Sequence, residues 1–266
     1  MPRFVRRLLV VSARAACIMF VVSSSLGHAA EIRVLSAAAM QSVFKEVVED
    51  FQRTSGYRLI IHYGTIGAVS EWVMNGEEAD IIIGSAQSIP PLVYQGKLQA
   101  GSQRALCQTG VGVVAPEGIE ISIRSVEDFQ RALLGAKAIV YADPSRGGAA
   151  GIHVAKVIEK LGLTQKLKPK LRLAAGGDIT EVTLSLGPGA VGITQISEIV
   201  GKSQAQLAGP LPEELQNYTV FVAGVPANAP ESRGATDLLE YLRSPKVLAV
   251  IRAKGMKDFG PSGGSE

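Results

Sequence analysis

Tyr141-Ala142-Asp143-Pro144-Ser145-Arg146-Gly147-Gly148-Ala149-Ala150-Gly151-Ile152-His153 is the stretch on which the fold turns. The apolar residues 138–141 before it suit a buried strand. Residues 149–161 after its first half carry Ile152, Ala155, Val157, Ile158 and Leu161 at helical spacing. A strand, a glycine-rich turn and a helix start therefore follow one another. Glycines let the turn bend sharply and leave its N–H groups uncovered. The first N–H groups of a helix lack internal partners and carry partial positive charge, so the junction suits an anion. Arg146 adds a planar fork of donors matched to a carboxylate. A plain βα turn, with Asp143 and Ser145 satisfying its backbone and Arg146 solvated, is the competing reading.

The same rhythm runs outward in both directions. Residues 32–35 read as a strand. The helix of residues 40–54 has Val43, Phe44, Val47, Val48 and Phe51 on one face, and Gly56 stops it. Residues 58–63 form a second strand, Gly64-Thr65-Ile66-Gly67 a tight turn, and a helix then reaches Met74. Asp80-Ile81-Ile82-Ile83-Gly84 has the run shape of a strand buried on both faces. Residues 85–96 read as a short helix with Pro90-Pro91 in its first turn. A long strand over 108–115 breaks the pattern. A second series follows: a helix over 125–134, the decisive strand and loop, a strand over 170–174, and Gly176-Gly177-Asp178 leading into a helix with Asp178 as N-cap. A strand over 190–194 and a short helix over 196–200 complete it. Residues 218–224 form another long strand, with helices over 232–242 and 247–252 after it.

Two long strands bracketing the second series are what two crossings between lobes look like. The expected division is residues 31–110 and 222–266 for one lobe and 111–221 for the other. Parallel sheets bind ligands at the carboxyl ends of their strands. Here such ends carry small-residue turns at 36–39, 64–67, 143–151 and 176–178. Several helix starts converging on one cleft make a receptor for a small anion.

Residues 1–30 read as an export signal. Arg3, Arg6, Arg7 and Arg14 supply the basic part, residues 15–22 the apolar part, and Gly27-His28-Ala29-Ala30 a small-residue cleavage site. Cleavage is expected after Ala29 or Ala30, giving a periplasmic protein. Cys17 follows Arg14-Ala15-Ala16 and lacks the apolar residue expected before a lipidated cysteine. Without the four signal arginines, 23 basic side chains face 24 acidic ones. No basic stripe remains to suggest nucleic acid. Cys107 is then the lone thiol, best placed as a buried filler.

Chemistry-bearing residues are sparse. His62 and His153 are not at metal-ligand spacing, and no Gly-x-Ser-x-Gly elbow occurs. Gly110-Val111-Gly112-Val113-Val114-Ala115 matches a dinucleotide fingerprint formally but lies in a strand reading. The expectation is a binding protein, not an enzyme, without metal or cofactor.

Val34-Leu35-Ser36-Ala37-Ala38-Ala39-Met40, Ala79-Asp80-Ile81-Ile82-Ile83, Gly112-Val113-Val114-Ala115-Pro116, Ala142-Asp143-Pro144 with Ala150-Gly151, and Val191-Gly192-Ile193 resemble, in order, the molybdate-binding proteins of bacterial ABC importers. The resemblance covers nearly all of the chain after residue 30. It implies an α/β, two-lobed type II periplasmic binding protein fold, each lobe a mixed, mainly parallel sheet flanked by helices. It also implies a monomer that serves a membrane permease and closes on its ligand at the hinge. With Arg146 added from the reading of the loop, the expected site comprises Ala39, Met40, Thr65, Ile66, Arg146, Gly148, Ala149, Ala150, Ile179 and Gln195.

Departures from the family pattern have a chemical direction. Ala39 stands where the family offers a serine hydroxyl, Ile66 (beside Thr65) where it offers another, and Gln195 where it offers a tyrosine. Arg146 is extra, in a loop one residue longer. A tetrahedral dianion loses donors by these changes, each unmade hydrogen bond to a charged group costing roughly 1–3 kcal/mol. Ala39 and Ile66 give apolar wall suited to a carbon skeleton. The preferred ligand is therefore a small organic carboxylate. Molybdate or tungstate is the alternative, and an enzyme of the same fold or a sensor input ranks below.

Overall fold

The computed structural model describes residues 29–260; the expected export signal lies almost wholly outside the described residues. Three strands open the chain: β1 (Glu31–Ala37), β2 (Arg58–Gly64) and β3 (Ile81–Ser85), joined by α1 (Gln41–Ser55) and α2 (Ile66–Met74). They pair in parallel in the order β2-β1-β3, with Val34 opposite both Ile61 and Ile81. Side-chain alternation assigns the two faces. Ile32 and Val34 of β1 and Ile81 and Ile83 of β3 meet α1 through Val43, Phe44, Val47 and Phe51. Leu35 and Ile82 face the other way, onto Val69 and Val73 of α2. Burying a side chain such as Phe44 contributes about 1.5–3 kcal/mol. Gly56, at φ +78°, ends α1 in the left-handed conformation that glycine adopts without strain.

Only Ile89–Tyr94 of the expected 85–96 helix is helical (α3). Ser85 and Ser88 each accept the other's backbone N–H, at 3.1 and 2.9 Å, and this turn replaces the first helical turn. β4 (Arg104–Pro116) is longer than sequence patterning suggests and belongs to two sheets. Residues 104–110 pair antiparallel with β9 (Tyr218–Gly224), which also pairs antiparallel with β3. Residues 111–116 instead pair antiparallel with β7 (Ala190–Gln195) and β8 (Ala205–Pro210). At the change-over, the Gln216 side chain hydrogen-bonds both backbone groups of Val111. Its Oε1 accepts the N–H at 2.8 Å, and its Nε2 donates to the carbonyl at 3.0 Å.

The second sheet continues as β7-β5-β6, with β5 (Ala138–Ala142) parallel to both neighbours, β6 being Leu171–Ala174. α4 (Val126–Gly135), α5 (Ala149–Lys160), α6 (Thr164–Leu167) and α7 (Ile179–Ser185) flank it. Its main core joins Val111, Val113, Phe129, Ile139, Val154, Ile158 and Ile193. Ser125 caps α4 as its hydroxyl accepts the Asp128 N–H at 3.2 Å. α8 (Ser232–Leu242), α9 (Pro245–Ala253) and the short β10 (Lys257–Asp258) return to the first sheet. There Leu238, Leu242, Val247 and Ile251 complete the α1 core. Each sheet is a parallel trio with antiparallel strands at one side, so the architecture is two α/β lobes sharing β4.

Candidate functional site

The carboxyl ends of the parallel strands face each other across the gap between lobes. They enclose a cavity of about 40 Å³, room for about three water-sized groups and so for a carboxylate or a small oxyanion. The first lobe supplies the end of β1 through Ala39 and the turn Gly64-Thr65-Ile66. The second supplies Gly148 to Gly151 at the start of α5, Gly176 and Gly177 before α7, and Thr194 and Gln195 at the end of β7. All four turns singled out in the sequence reach this wall.

The lining combines helix starts with the polar residues Thr65, Thr194, Gln195 and Glu198. Thr65 caps α2, its hydroxyl accepting the Ala68 N–H at 3.1 Å. No side chain caps α5, whose N-cap is Gly148, so its first-turn N–H groups face the cavity end uncompensated by a carboxylate or hydroxyl. Asp178, read as an N-cap, makes no capping bond to α7. Its carboxylate instead accepts the Gly176 N–H at 3.2 Å and braces the preceding turn.

Of the expected site residues, Ala39, Thr65, Ile66, Gly148, Ala149, Ala150 and Gln195 line the cavity. Met40, Ile179 and Arg146 are not among its lining. Met40 points into the first core, where its sulfur lies 3.6 Å from the Cys107 thiol. Ile179 packs its side chain on Val140 and Ala142. Arg146 is exposed and does not line the cavity; with Tyr63, Trp72 and Ser145 it borders a groove that adjoins the cavity through Gly64, Thr65 and Gly176. The turn before it is self-contained: Asp143 accepts the Ser145 N–H at 2.9 Å and the Ser145 hydroxyl at 2.7 Å. Those bonds, with Arg146 nearby, hold the Asp143 carboxyl below its ordinary range.

What Arg146 contributes to the inter-lobe contact is its carbonyl. The Thr65 hydroxyl donates to it, and beside it the Gly67 N–H donates to the Gly147 carbonyl at 3.1 Å. The lobes meet here backbone to backbone. A Cβ on Gly67 would lie 2.7 Å from the Gly147 Cα, and Gly147 itself sits at φ +70°. Glycine is required on both sides of this seam.

Sequence reasoning missed three lining side chains. Phe221 reaches the cavity from β9, far away in the chain, and Thr194 and Glu198 come from the end of β7 and the 3-10 turn after it. The Thr194 hydroxyl donates to the Glu198 carboxylate. Burial pushes the Glu198 carboxyl up, against the opposing pull of that hydroxyl bond and of Lys202. An acidic residue just past the carboxyl end of a central strand was the available signal. Gln195, 5% exposed, donates through its amide nitrogen to the Thr219 hydroxyl at 3.0 Å. Its amide oxygen has no partner among the described residues.

His62 and His153, the histidines among the described residues, do not line the cavity. His153 hydrogen-bonds the Leu215 carbonyl at 2.7 Å, while His62 stacks on Trp72 with ring centroids 3.8 Å apart. No group of three or more His, Cys, Asp or Glu side chains able to hold a metal occurs among the described residues.

This cleft between two α/β lobes is accompanied by a family match. The family model for bacterial extracellular solute-binding proteins matches residues 32–257. The chain belongs to that family. Among curated proteins it is 22% identical to an aconitate isomerase from a Pseudomonas species over 233 residues, covering 85% of this chain and 87% of the relative. It is 24% identical to the molybdate-binding protein ModA of Azotobacter vinelandii over 242 residues, covering 86% and 90%. The solved structure of an Azotobacter vinelandii periplasmic molybdate-binding protein superposes with a TM-score of 0.72 at 19% identity, over 85% of this chain and 98% of that one. The fold is that of the molybdate-binding-like solute-binding proteins.

Proposed function

We propose that this solute-binding protein is the periplasmic capture component of an ABC importer, and that its solute is a small organic anion bearing carboxylate. It works as a monomer, exported by a signal cleaved after Ala29 or Ala30, and delivers to a membrane permease. The wall carries the reading. Where hydroxyl donors would ring a tetrahedral oxyanion, Ala39 and Ile66 present hydrocarbon, and Phe221 adds more from β9. The donors near them are backbone N–H groups at the starts of α2 and α5, which suit one compact anionic end. A carbon skeleton then rests against the apolar side. Ligand held between residues 39–66 and 148–195 contacts both lobes, and only such a ligand favours the closed arrangement.

Thermal-shift screening tests this against molybdate, tungstate, sulfate, phosphate, acetate, lactate, succinate and citrate. A ligand at a hundred times its dissociation constant adds about 2.7 kcal/mol. The largest shift is expected from a carboxylate. A strong molybdate response with silence across the carboxylates overturns the reading and restores an oxyanion receptor.

Glu198 favours a second reading, because a buried carboxyl with raised proton affinity beside a ligand cavity is equipped for proton transfer. The similarity to an aconitate isomerase makes the aconitates the substrates to try. Incubation with either isomer, followed by chromatography, would reveal conversion that Glu198→Gln abolishes.

A further inference from the structure

The lining of the cavity bears on what a ligand must carry besides charge. Among the described residues Glu198 is its one ionisable side chain, and no lysine, arginine or histidine stands with it. Its hydroxyl hydrogens are already spent. Thr65 donates to the Arg146 carbonyl across the seam, and Thr194 donates to the Glu198 carboxylate. Gln195 turns its amide nitrogen to the Thr219 hydroxyl. Side chains therefore present a ligand chiefly with acceptors, while backbone N–H groups supply the donors.

Glu198 is placed to be the acceptor. Its carbonyl already accepts the Thr180 hydroxyl at 2.9 Å, so its carboxylate is the group with capacity left. Unlike Ser197 before it, which is fully buried, it keeps accessible surface. A carboxylate has about four acceptor sites, and the donors on this one are the Thr194 hydroxyl and the Gln195 backbone N–H. Lys202, the nearby cation, is paired with Glu181. Glu198 stands where the cavity borders a second one, beside Ala38 and Gly177. The start of α5 lies towards the Arg146 groove, Gly147 lining that groove and Gly148 the cavity. A small ligand can thus rest its carboxylate on the α5 N–H groups and turn another group to Glu198.

We propose that Glu198 sets specificity by accepting a hydrogen bond from a hydroxyl or ammonium group that the ligand carries beside its carboxylate. The proposal rests on the carboxylate reading given above and specifies it further. An acid of the same size without that donor displaces water from Glu198 and returns nothing to it. Sites built to hydrogen-bond a group of the ligand reject analogues that lack the group far more strongly than apolar pockets reject a missing methylene.

Calorimetric titration of the parent, Glu198→Gln and Glu198→Met with two matched sets of acids tests it. One set is propionate, lactate and alanine; the other is succinate and malate. In each set that binds, an acid with a donor should bind the parent at least tenfold more tightly than the acid without one. Lactate above alanine assigns the donor as hydroxyl, and the reverse assigns it as ammonium. Glu198→Met should shrink the margin below threefold, with the donor-free acid bound as tightly as by the parent or more so. Glu198→Gln, which keeps one acceptor oxygen, should fall between. Equal binding of acids with and without the donor by the parent overturns the role of Glu198 while the carboxylate reading survives. So does a margin that Glu198→Met leaves intact, or a loss that strikes the donor-free acid equally. Silence across all the carboxylates overturns both. If Glu198→Met does not fold, Glu198→Gln decides, by whether the margin falls at least threefold while the donor-free acid binds as before.

Discussion

Replacing Gly67 by alanine should separate closure from folding. Gly67 is in the first turn of α2, where alanine is the better helix former by roughly 0.8–1.0 kcal/mol. With the lobes parted at this seam, the substitution would cost the first lobe nothing. The closed arrangement would suffer, because the new methyl would stand 2.7 Å from the Gly147 Cα and 3.0 Å from the Arg146 carbonyl oxygen. Backbone on both sides leaves no flexible side chain to move aside. The seam must part, and it takes with it the Gly67-to-Gly147 bond and the Thr65-to-Arg146 bond. At about 0.5–1.5 kcal/mol each, the two are together worth about 1–3 kcal/mol, a weakening of ligand binding by about 5- to 150-fold. Titration of parent and variant with whichever of citrate and molybdate stabilises the parent measures this. Thermal unfolding without ligand should meanwhile show an equal or higher midpoint. Affinity equal to the parent's would show that the seam plays no part in holding ligand.

Arg146→Ala should change affinity by less than about fivefold, since an exposed charge outside the cavity is worth no more than about 1 kcal/mol. A loss above thirtyfold would instead place the guanidinium on the ligand. Burial raises the Glu198 carboxyl above its ordinary value of 4.5, so the folded state holds that proton more tightly than the unfolded chain. The stability this confers is complete below pH 4.5 and is lost as pH rises through the folded value. Urea unfolding from pH 4 to 8 should show that decline in the parent and its absence in Glu198→Gln; matching slopes would refute it. The Cys107 thiol, fully buried between the sulfurs of Met40 and Met256 and pushed up to about 12 chiefly by burial, should not react with a disulfide reagent at pH 8 until the protein is unfolded. Reaction of the native protein beginning at Glu31 would contradict this placement.

Local patterning carried most of the frame. The apolar run from Ile32 to Leu35 and the stripe from Val43 to Phe51 depend on neighbours in sequence, and so does the stop at Gly56. β8 has no such pattern. Its residues are half-buried, and Gly209-Pro210 ends it, so only its pairing with β4 makes it a strand. The cavity was legible as a set of turns because strand ends and helix starts are themselves local features. Its side chains were less so. Phe221 lines the cavity because of the register of β9 on β3 and β4, and no short window of sequence contains that register. Met40 follows Ala39 directly, yet the 3-10 turn there sends it into the core. Arg146 drew attention for its chemistry, but the Asp143–Ser145 turn leaves it outside.

Gln216 bears on how the lobes can be joined and still turn. Along most of β4 the strand is fastened by rows of backbone bonds, and a row resists shear as a unit. At Val111, where one set of neighbours gives way to another, a side-chain amide holds the N–H and shares the carbonyl with the Leu211 N–H. An amide on two flexible methylenes can follow the strand through several degrees of rotation by adjusting its own torsions. A joint so made would act as a bearing between two stiff plates, its polar groups staying paired as the plates turned.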